Sequence, residues 1–431
     1  MRGWIDEARD HVRAILGAAL LAANPQTVMR SVRRDGDDLL LPDGSSVRLA
    51  GRAVRCLAVG KAAGGMAAHA QPWGPFAEAV VVAPHEVDLP GFEGFVGGHP
   101  TPDAGSLAAG ERALALARAC GPGDLLIVLL SGGASALCES PLVPLSDLQR
   151  VNGLLLHADA PIEEVNAVRR HLSALKGGRL ALACAGEVLL LAISDVEPGD
   201  LASLGSGPVS PDPTTCADAL EVLARRGVLD AVPPRARAVL ESGEGETPKP
   251  GDAAFARVRS FVLADNDTAL RAASLQASRL GYDVRMLSGW LRGEARERGR
   301  DLAQAARDAA TGRGRPLALL AGGETVVRVA GHGKGGRSQE IALAAMEGLS
   351  AQDAALAALG TDGRDGPTDA AGAIVDGRSL ARAQALGLDV GAHLEENDSF
   401  PVFEALHDLI RTGPTGTNVR DVVVLLVRRG S

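Results

Sequence analysis

From residue 55 onward, short apolar runs alternate with longer stretches in which apolar residues recur at helical spacing. Residues 55–59, 79–83, 125–130 and 188–193 are apolar on both faces, as strands buried on both sides are. Between them the spacing predicts helices over residues 105–119, 145–156 and 166–183. This alternation implies an α/β fold built on a parallel sheet covered on both faces. Ligand sites in such sheets gather at the carboxyl ends of the strands.

The pattern changes near Glu241. Residues 241–252 (ESGEGETPKPGD) are polar, rich in Gly, Pro and Glu, and aperiodic, which marks them as a linker. The boundary expected there gives two domains, residues 1–245 and 246–431. Beyond it, strands are expected at residues 260–264, 283–287, 317–321, 325–330, 355–360 and 422–427, with a helix over 268–280. The runs on either side of Gly322–Glu324 are too close for a crossover helix, so the second, smaller α/β domain should hold a mixed sheet. At the other end, Ile5, Ala8, Val12, Ile15, Leu16 and Ala19 fall at helical spacing among charged residues. That is an amphipathic helix docked on the body, not a secretory signal.

Composition narrows the classes. A chain of 431 residues exceeds one ordinary core, and 46% hydrophobic residues suffice for two. Only 3% are aromatic, so Ala, Leu and Val must do the packing. With net charge −9, no basic block and few rings for stacking, no nucleic-acid partner is expected. No apolar run reaches the ~18 residues that span a bilayer, so no membrane partner is expected either. The 5 cysteines lack C-x-x-C spacing and suit reduced thiols in a cytoplasmic protein. Cys138 is a remote nucleophile candidate, with no His near it in sequence.

Candidate chemistry lies in loops after the expected strands. Gly60 and Lys61 stand between a strand and a small-residue helix start, where a lysine can meet an anion. Ser131, Gly132, Gly133 and Ser135 could line a phosphate with backbone N–H groups, or simply turn the chain. The spacing G-x-x-x-x-G-K-[ST] of a Walker loop is absent from the sequence. Asp195 suits Mg²⁺ bound through one or two carboxylates, whereas Asp200 could be a helix cap. In ADNDT, Asp267 or Thr268 is the expected cap, which leaves Asn266 to face a ligand. Gly323 and Glu324 follow a strand, and Glu324 is a second metal or substrate candidate. Residues 331–336 read GHGKGG, a literal G-x-G-x-x-G, with Asp362 after the next strand where a dinucleotide's ribose could be bound. Lys334 and Arg337 in or beside that loop fit a triphosphate equally well. Asp362, Asp365 and Asp369 form an acidic loop that does not complete an EF-hand.

These segments, in this order, resemble the glycerate 2-kinase family, whose C-terminal half is the MOFRL domain. The matching strings are VGKAAGGMA, GGHPTPDAGS, LLSGGASAL, ISDVEPGD, GSGPVSPDPTT, GGETVVRVAGHGKGGRSQE, GTDGRDGPTDAAG and NDSFPVFEAL. One departure is Ser338, where Asn is common. The resemblance implies a Rossmann-like N-terminal domain, a smaller α/β C-terminal domain and a cleft between them. It implies ATP- and Mg²⁺-dependent phosphorylation of D-glycerate, usually at the 2-hydroxyl. Lys61 and Arg337 carry over as the key cleft cations, with Asp195 and Glu324 as candidate metal ligands. Some relatives are labelled hydroxypyruvate reductases, so an NAD(P)H-dependent reductase using the GHGKGG loop is the rival enzyme. A non-catalytic sensor of sugar acids or nucleotides is a third reading. Small-residue helices would permit a homodimer.

Overall fold

The computed structural model describes residues 3–287 and 289–430. It divides into two compact units, Val28–Leu263 and a second made of Met1–Thr27 with Ala264–Ser431.

The Val28–Leu263 unit is built on a sheet of six strands in the order Glu93–Val96, Glu78–Ala83, Val54–Val59, Leu125–Ser131, Glu187–Ile193 and Val258–Ala264. The first five pair in parallel. Every residue of Leu125–Ser131 is buried, as its continuous apolar run requires of a strand covered on both faces. From Val54–Val59 the chain builds outward on one side, then returns to build on the other. The order therefore reverses between Val54–Val59 and Leu125–Ser131, which is the topological switch point of a doubly wound sheet. A separate apolar cluster joins the helices Leu145–His157, Ile162–His171, Cys216–Arg225 and Pro234–Ser242.

The other unit holds a mixed sheet in the order Asp283–Met286, Leu317–Gly323, Asp421–Val427, Ala354–Gly360, Gly372–Asp376 and Leu409–Ile410. Only its first pair is parallel. The mixed character was expected, but for a different reason. Residues 325–330 form no strand, only an isolated bridge from Val326 to Glu294. Their N–H groups turn instead to side chains, that of Ala330 to Asn397 and that of Arg328 to Glu294. The antiparallel partner of Leu317–Gly323 is Asp421–Val427, from the far end of the chain.

The units do not follow the expected 1–245 and 246–431 division. Helix Trp4–Ala22 belongs with the C-terminal residues: it packs on helix Asn266–Arg279, and Arg9 ion-pairs with Asp376 and Asp408. Residues 241–252 are not a linker but part of the first unit. Thr247 is buried and donates to Asp212, and Lys249 donates to the Thr214 carbonyl. Residues 166–183 are two helices, Ile162–His171 and Arg179–Ala183, because Gly177 and Gly178 both take positive φ between them. Among the described residues no helix is long and apolar enough to cross a membrane.

Candidate functional site

In the Val28–Leu263 unit, the candidate residues converge on the switch point. Gly60 and Lys61 leave the carboxyl end of Val54–Val59, and Ser131–Gly133 leave that of its neighbour, where Val59 pairs with Leu130. The two loops are tied together. The Lys61 N–H donates to the Gly132 carbonyl at 2.9 Å, and the Ala62 N–H donates to Ser131 Oγ at 3.0 Å. Gly60 is required here: a Cβ would lie 2.3 Å from Ser131 Oγ, at φ +124°. Ser131 is wholly buried, so its hydroxyl fastens the loops and is not a ligand. Gly133, at φ +86°, presents its α-carbon to the Lys61 stem and the His99 ring, which a Cβ would meet at 3.4 and 3.2 Å. Helix Ala63–Ala70 starts two residues after Lys61, and its first turn leaves N–H groups without intrahelical acceptors. Ser135 joins Ser206 Oγ at 3.0 Å, and Ser206 donates to Asn166 at 2.9 Å. Asp195 is buried two residues beyond Glu187–Ile193, the next strand in the sheet. Asp200 caps the following turn through the Ser203 N–H. Cys138 is no nucleophile: burial pushes its thiol up to about 12.

The second unit gathers charges at one edge of its sheet. Gly323 and Gly360 end the two strands that flank Asp421–Val427, and both pair with Asp421, its first residue. Arg337 grips both Asp421 oxygens, at 2.6 and 3.0 Å, and donates to Glu324 at 2.5 Å. Arg420 also pairs with Glu324. Burial works against the Arg337 charge, but Asp421, Glu324 and Asp365 more than offset it and hold the guanidinium protonated. Asp365 is buried beneath the start of helix Arg337–Leu349 and accepts the Ser338 and Gln339 N–H groups at 3.0 and 2.8 Å. An internal carboxylate therefore already occupies that helix N-terminus. Burial, with Asp421 nearby, raises Asp365 to about 6 against the pull of those N–H groups. The buried Thr325, Ser338 and Ser399 hydroxyls and Gln339 Oε1 have no hydrogen-bond partner.

Other expectations need correcting. Asp265, not Asp267 or Thr268, caps helix Asn266–Arg279, in a reciprocal box with Thr268. Asn266 is buried and donates to the Val419 and Asp421 carbonyls at 2.8 and 3.0 Å, so it supports the sheet edge and faces no ligand. Glu324, held by two arginines, is ill suited to a metal ion. Asp362 lies beside Gly360 and accepts the Arg364 N–H. The glycines of GHGKGG follow no strand. A Cβ on Gly331, Gly333, Gly335 or Gly336 would lie 2.4, 2.3, 2.2 or 2.3 Å from Glu396, Asp398, Ser399 or Asp365. They let the loop press against neighbouring chain, which accounts for them without a pyrophosphate. Lys334 stands 4.1 Å over the Phe400 ring, apart from the Arg337 cluster.

Sequence reasoning did not single out Asp421, Arg420 or His99. Asp421 lies just before the strand expected over 422–427, and only the antiparallel pairing brings it to Arg337. His99 did stand in a recognisable string, GGHPTPDAGS, next to the loops it approaches.

A lysine-bearing loop pair at the switch point and an arginine–carboxylate cluster at a sheet edge mark a two-unit α/β protein with a doubly wound sheet in one unit and a mixed sheet in the other. Residues 11–241 match the DUF4147 family, described as a domain of unknown function, and residues 317–421 match the MOFRL family. A glycerate 2-kinase from Pyrococcus horikoshii is 36% identical, over 96% of each chain. A protein from Agrobacterium vitis that carries the name hydroxypyruvate reductase is 39% identical over 98% of this chain and 96% of its own. The crystal structure of a glycerate kinase from Thermotoga maritima matches at TM-score 0.85 and 34% identity, covering 98% of this chain and 100% of that one. The chain belongs to the glycerate 2-kinase family.

Proposed function

We propose that this protein transfers the γ-phosphoryl group of ATP to the 2-hydroxyl of D-glycerate, giving 2-phosphoglycerate. The observation that carries the reading is the Gly60–Lys61 and Ser131–Gly133 pair at the switch point, where doubly wound sheets bind ligands. Family membership supplies the substrate.

Phosphoryl transfer asks little covalent chemistry of a protein; positioning and charge neutralisation dominate. Lys61 would neutralise charge from the first unit, and Arg337 from the second. Each is a candidate to meet the transferring group or the glycerate carboxylate. Arg337 keeps its charge because Asp421 and Glu324 surround it, and its bidentate grip on Asp421 fixes the guanidinium plane. The N–H groups after Gly133 would meet phosphate oxygens. Asp195, a buried carboxylate at a strand end, fits Mg²⁺ as one of the one or two protein ligands such an ion takes alongside phosphates. Bound there, the ion would offset negative charge on the nucleotide.

The reductase reading draws on the name of the Agrobacterium vitis relative. Against it, packing already accounts for the glycines of its supposed cofactor loop. Incubating the pure protein with glycerate, ATP and Mg²⁺, and separately with hydroxypyruvate and NADH, decides between them. Glycerate-dependent ADP formation supports the kinase; NADH oxidation in its place would overturn it. NMR of the product separates 2- from 3-phosphoglycerate.

A further inference from the structure

Away from the switch-point loops, the helical part of the first unit brings together three residues remote in sequence. His171 ends helix Ile162–His171, Cys216 begins helix Cys216–Arg225, and Glu246 lies in the loop after helix Pro234–Ser242. His171 Nε2 or Nδ1, Cys216 Sγ and a Glu246 oxygen all lie within 4.8 Å of one another. Among the described residues this is the one such group of three or more.

The histidine is wholly buried and set for ligation. Its Nδ1 lies 2.7 Å from the Ala167 carbonyl, which only an N–H can satisfy. In the neutral ring this leaves the lone pair on Nε2, the arrangement that orients metal-ligating histidines. Nε2 is buried with no hydrogen-bond partner and lies 3.5 Å from Glu246 Oε1. The loop carrying Glu246 is pressed onto this helix end, since a Cβ on Gly245 would lie 2.1 Å from the His171 carbonyl oxygen. Glu246 Oε2 accepts the Cys216 N–H at 3.1 Å, which fixes the carboxylate beside the thiol.

We propose that His171 Nε2, Cys216 Sγ and Glu246 Oε1 form a binding site for Zn²⁺, with a fourth position open to water. Sulfur, imidazole nitrogen and carboxylate oxygen are the donors zinc takes, and tetrahedral bonds of ~2.0–2.3 Å give edges of roughly 3.3–3.8 Å. The 3.5 Å His171–Glu246 separation already lies in that range. Asp212 lies 3.9 Å from Nε2 but is not the fourth ligand, because Arg170, Thr214 and Thr247 engage its oxygens. Lys249 pairs with Glu246 but also donates to the Thr214 carbonyl and the Thr247 hydroxyl, so it keeps two partners if an ion takes over Glu246 Oε1. Binding converts the Cys216 thiol to thiolate and releases its proton to solvent. Burial, with Glu246 beside it, holds that thiol up at about 11 without a cation. The ion would clamp three segments of the helical cluster and take no part in phosphoryl transfer.

The test is titration of the full-length, chelator-treated protein with Zn²⁺ in a competition assay, and with Co²⁺ as a spectroscopic probe. One equivalent should bind saturably, raise Tm and produce a thiolate-to-cobalt charge-transfer band in the near ultraviolet. Cys216→Ser should abolish the band and weaken Zn²⁺ binding by more than the ~10–100-fold typical of losing an outer partner. Glu246→Gln, at a half-exposed position that tolerates change, should weaken it without removing the band. No saturable binding, or equal affinity and an unchanged band in Cys216→Ser, would overturn the site and leave a His171–Glu246 packing contact only.

Discussion

The two charged regions are built on opposite principles. At the switch point of the first unit, small residues and backbone bonds do the work: Gly60 and Gly133 allow close approach, the Gly132 carbonyl accepts the Lys61 N–H, and Lys61 supplies charge. At the sheet edge of the second unit, Arg337 is set among Asp421, Glu324 and Asp365, with Arg420 alongside. Removing a side chain should therefore cost chemistry in the first region, and chemistry together with folding stability in the second. The lesson is that one kind of functional cation can be read from a short string, while the other exists only once distant segments have paired.

Arg337→Ala should break this contrast most severely. It strands the buried Asp421, and loss of one partner from a buried pair costs about 3–5 kcal/mol. A lowered denaturation midpoint together with lost glycerate-dependent ADP formation is expected. Unchanged stability would mean that Arg337 is not the keystone of its cluster. Lys61→Ala should be the cleaner experiment. Removing one charge-stabilising group costs about 10²–10³-fold in kcat, with a denaturation curve close to that of the unaltered protein. Activity near normal in the folded variant would sink the assignment.

How much of this was legible follows the same divide. Most strands of the two six-stranded sheets were visible because runs such as LLIVLL have no polar face to spare, whereas Glu93–Val96, Gly372–Asp376 and Leu409–Ile410 were not foreseen. The first region was visible too, since strand, glycine, lysine and small-residue helix lie within one stretch. Residues 325–330 misled because apolar alternation there suggested a strand, while the N–H groups found side-chain acceptors in Asn397 and Glu294. Residues 241–252 read as a linker because composition does not reveal that Thr247 is buried against Asp212. Asp421 and Asp365 were obscure for a further reason: a carboxylate's role depends on which cation the fold brings to it.

A weaker probe of the charged edge is pH. In the folded protein Asp365 keeps its proton up to about 6, in the unfolded chain only to about 4. Between those values the folded state binds more protons, so this group's contribution to stability is fully present below about pH 4 and lost as pH rises through 6. Asp365→Asn has no such group. Relative to that variant, the unaltered protein should lose about 3 kcal/mol between pH 4 and 7. Urea denaturation at several pH values measures the difference; parallel profiles would show that Asp365 is ionised throughout.

The smallest effects come from Asp265 and Asn266, adjacent residues with different tasks. Asp265 caps its helix through the Thr268 N–H at 2.9 Å, and losing such a cap costs about 1 kcal/mol. Asp265→Ala should lower stability by that amount and leave kcat alone, since the cap touches none of the Arg337 cluster. Asn266 donates to the carbonyl of Asp421 itself, and Gly322 packs against its amide, where a Cβ would lie 1.8 Å from Oδ1. Asn266→Ala leaves two buried carbonyls unpaired, at about 1–3 kcal/mol, and lets the residue that orients Arg337 shift. If it lowers stability and activity together while Asp265→Ala lowers stability alone, Asn266 works by holding Asp421. If Asn266→Ala instead raises KM with stability intact, it meets substrate directly and the arrangement of that edge is different.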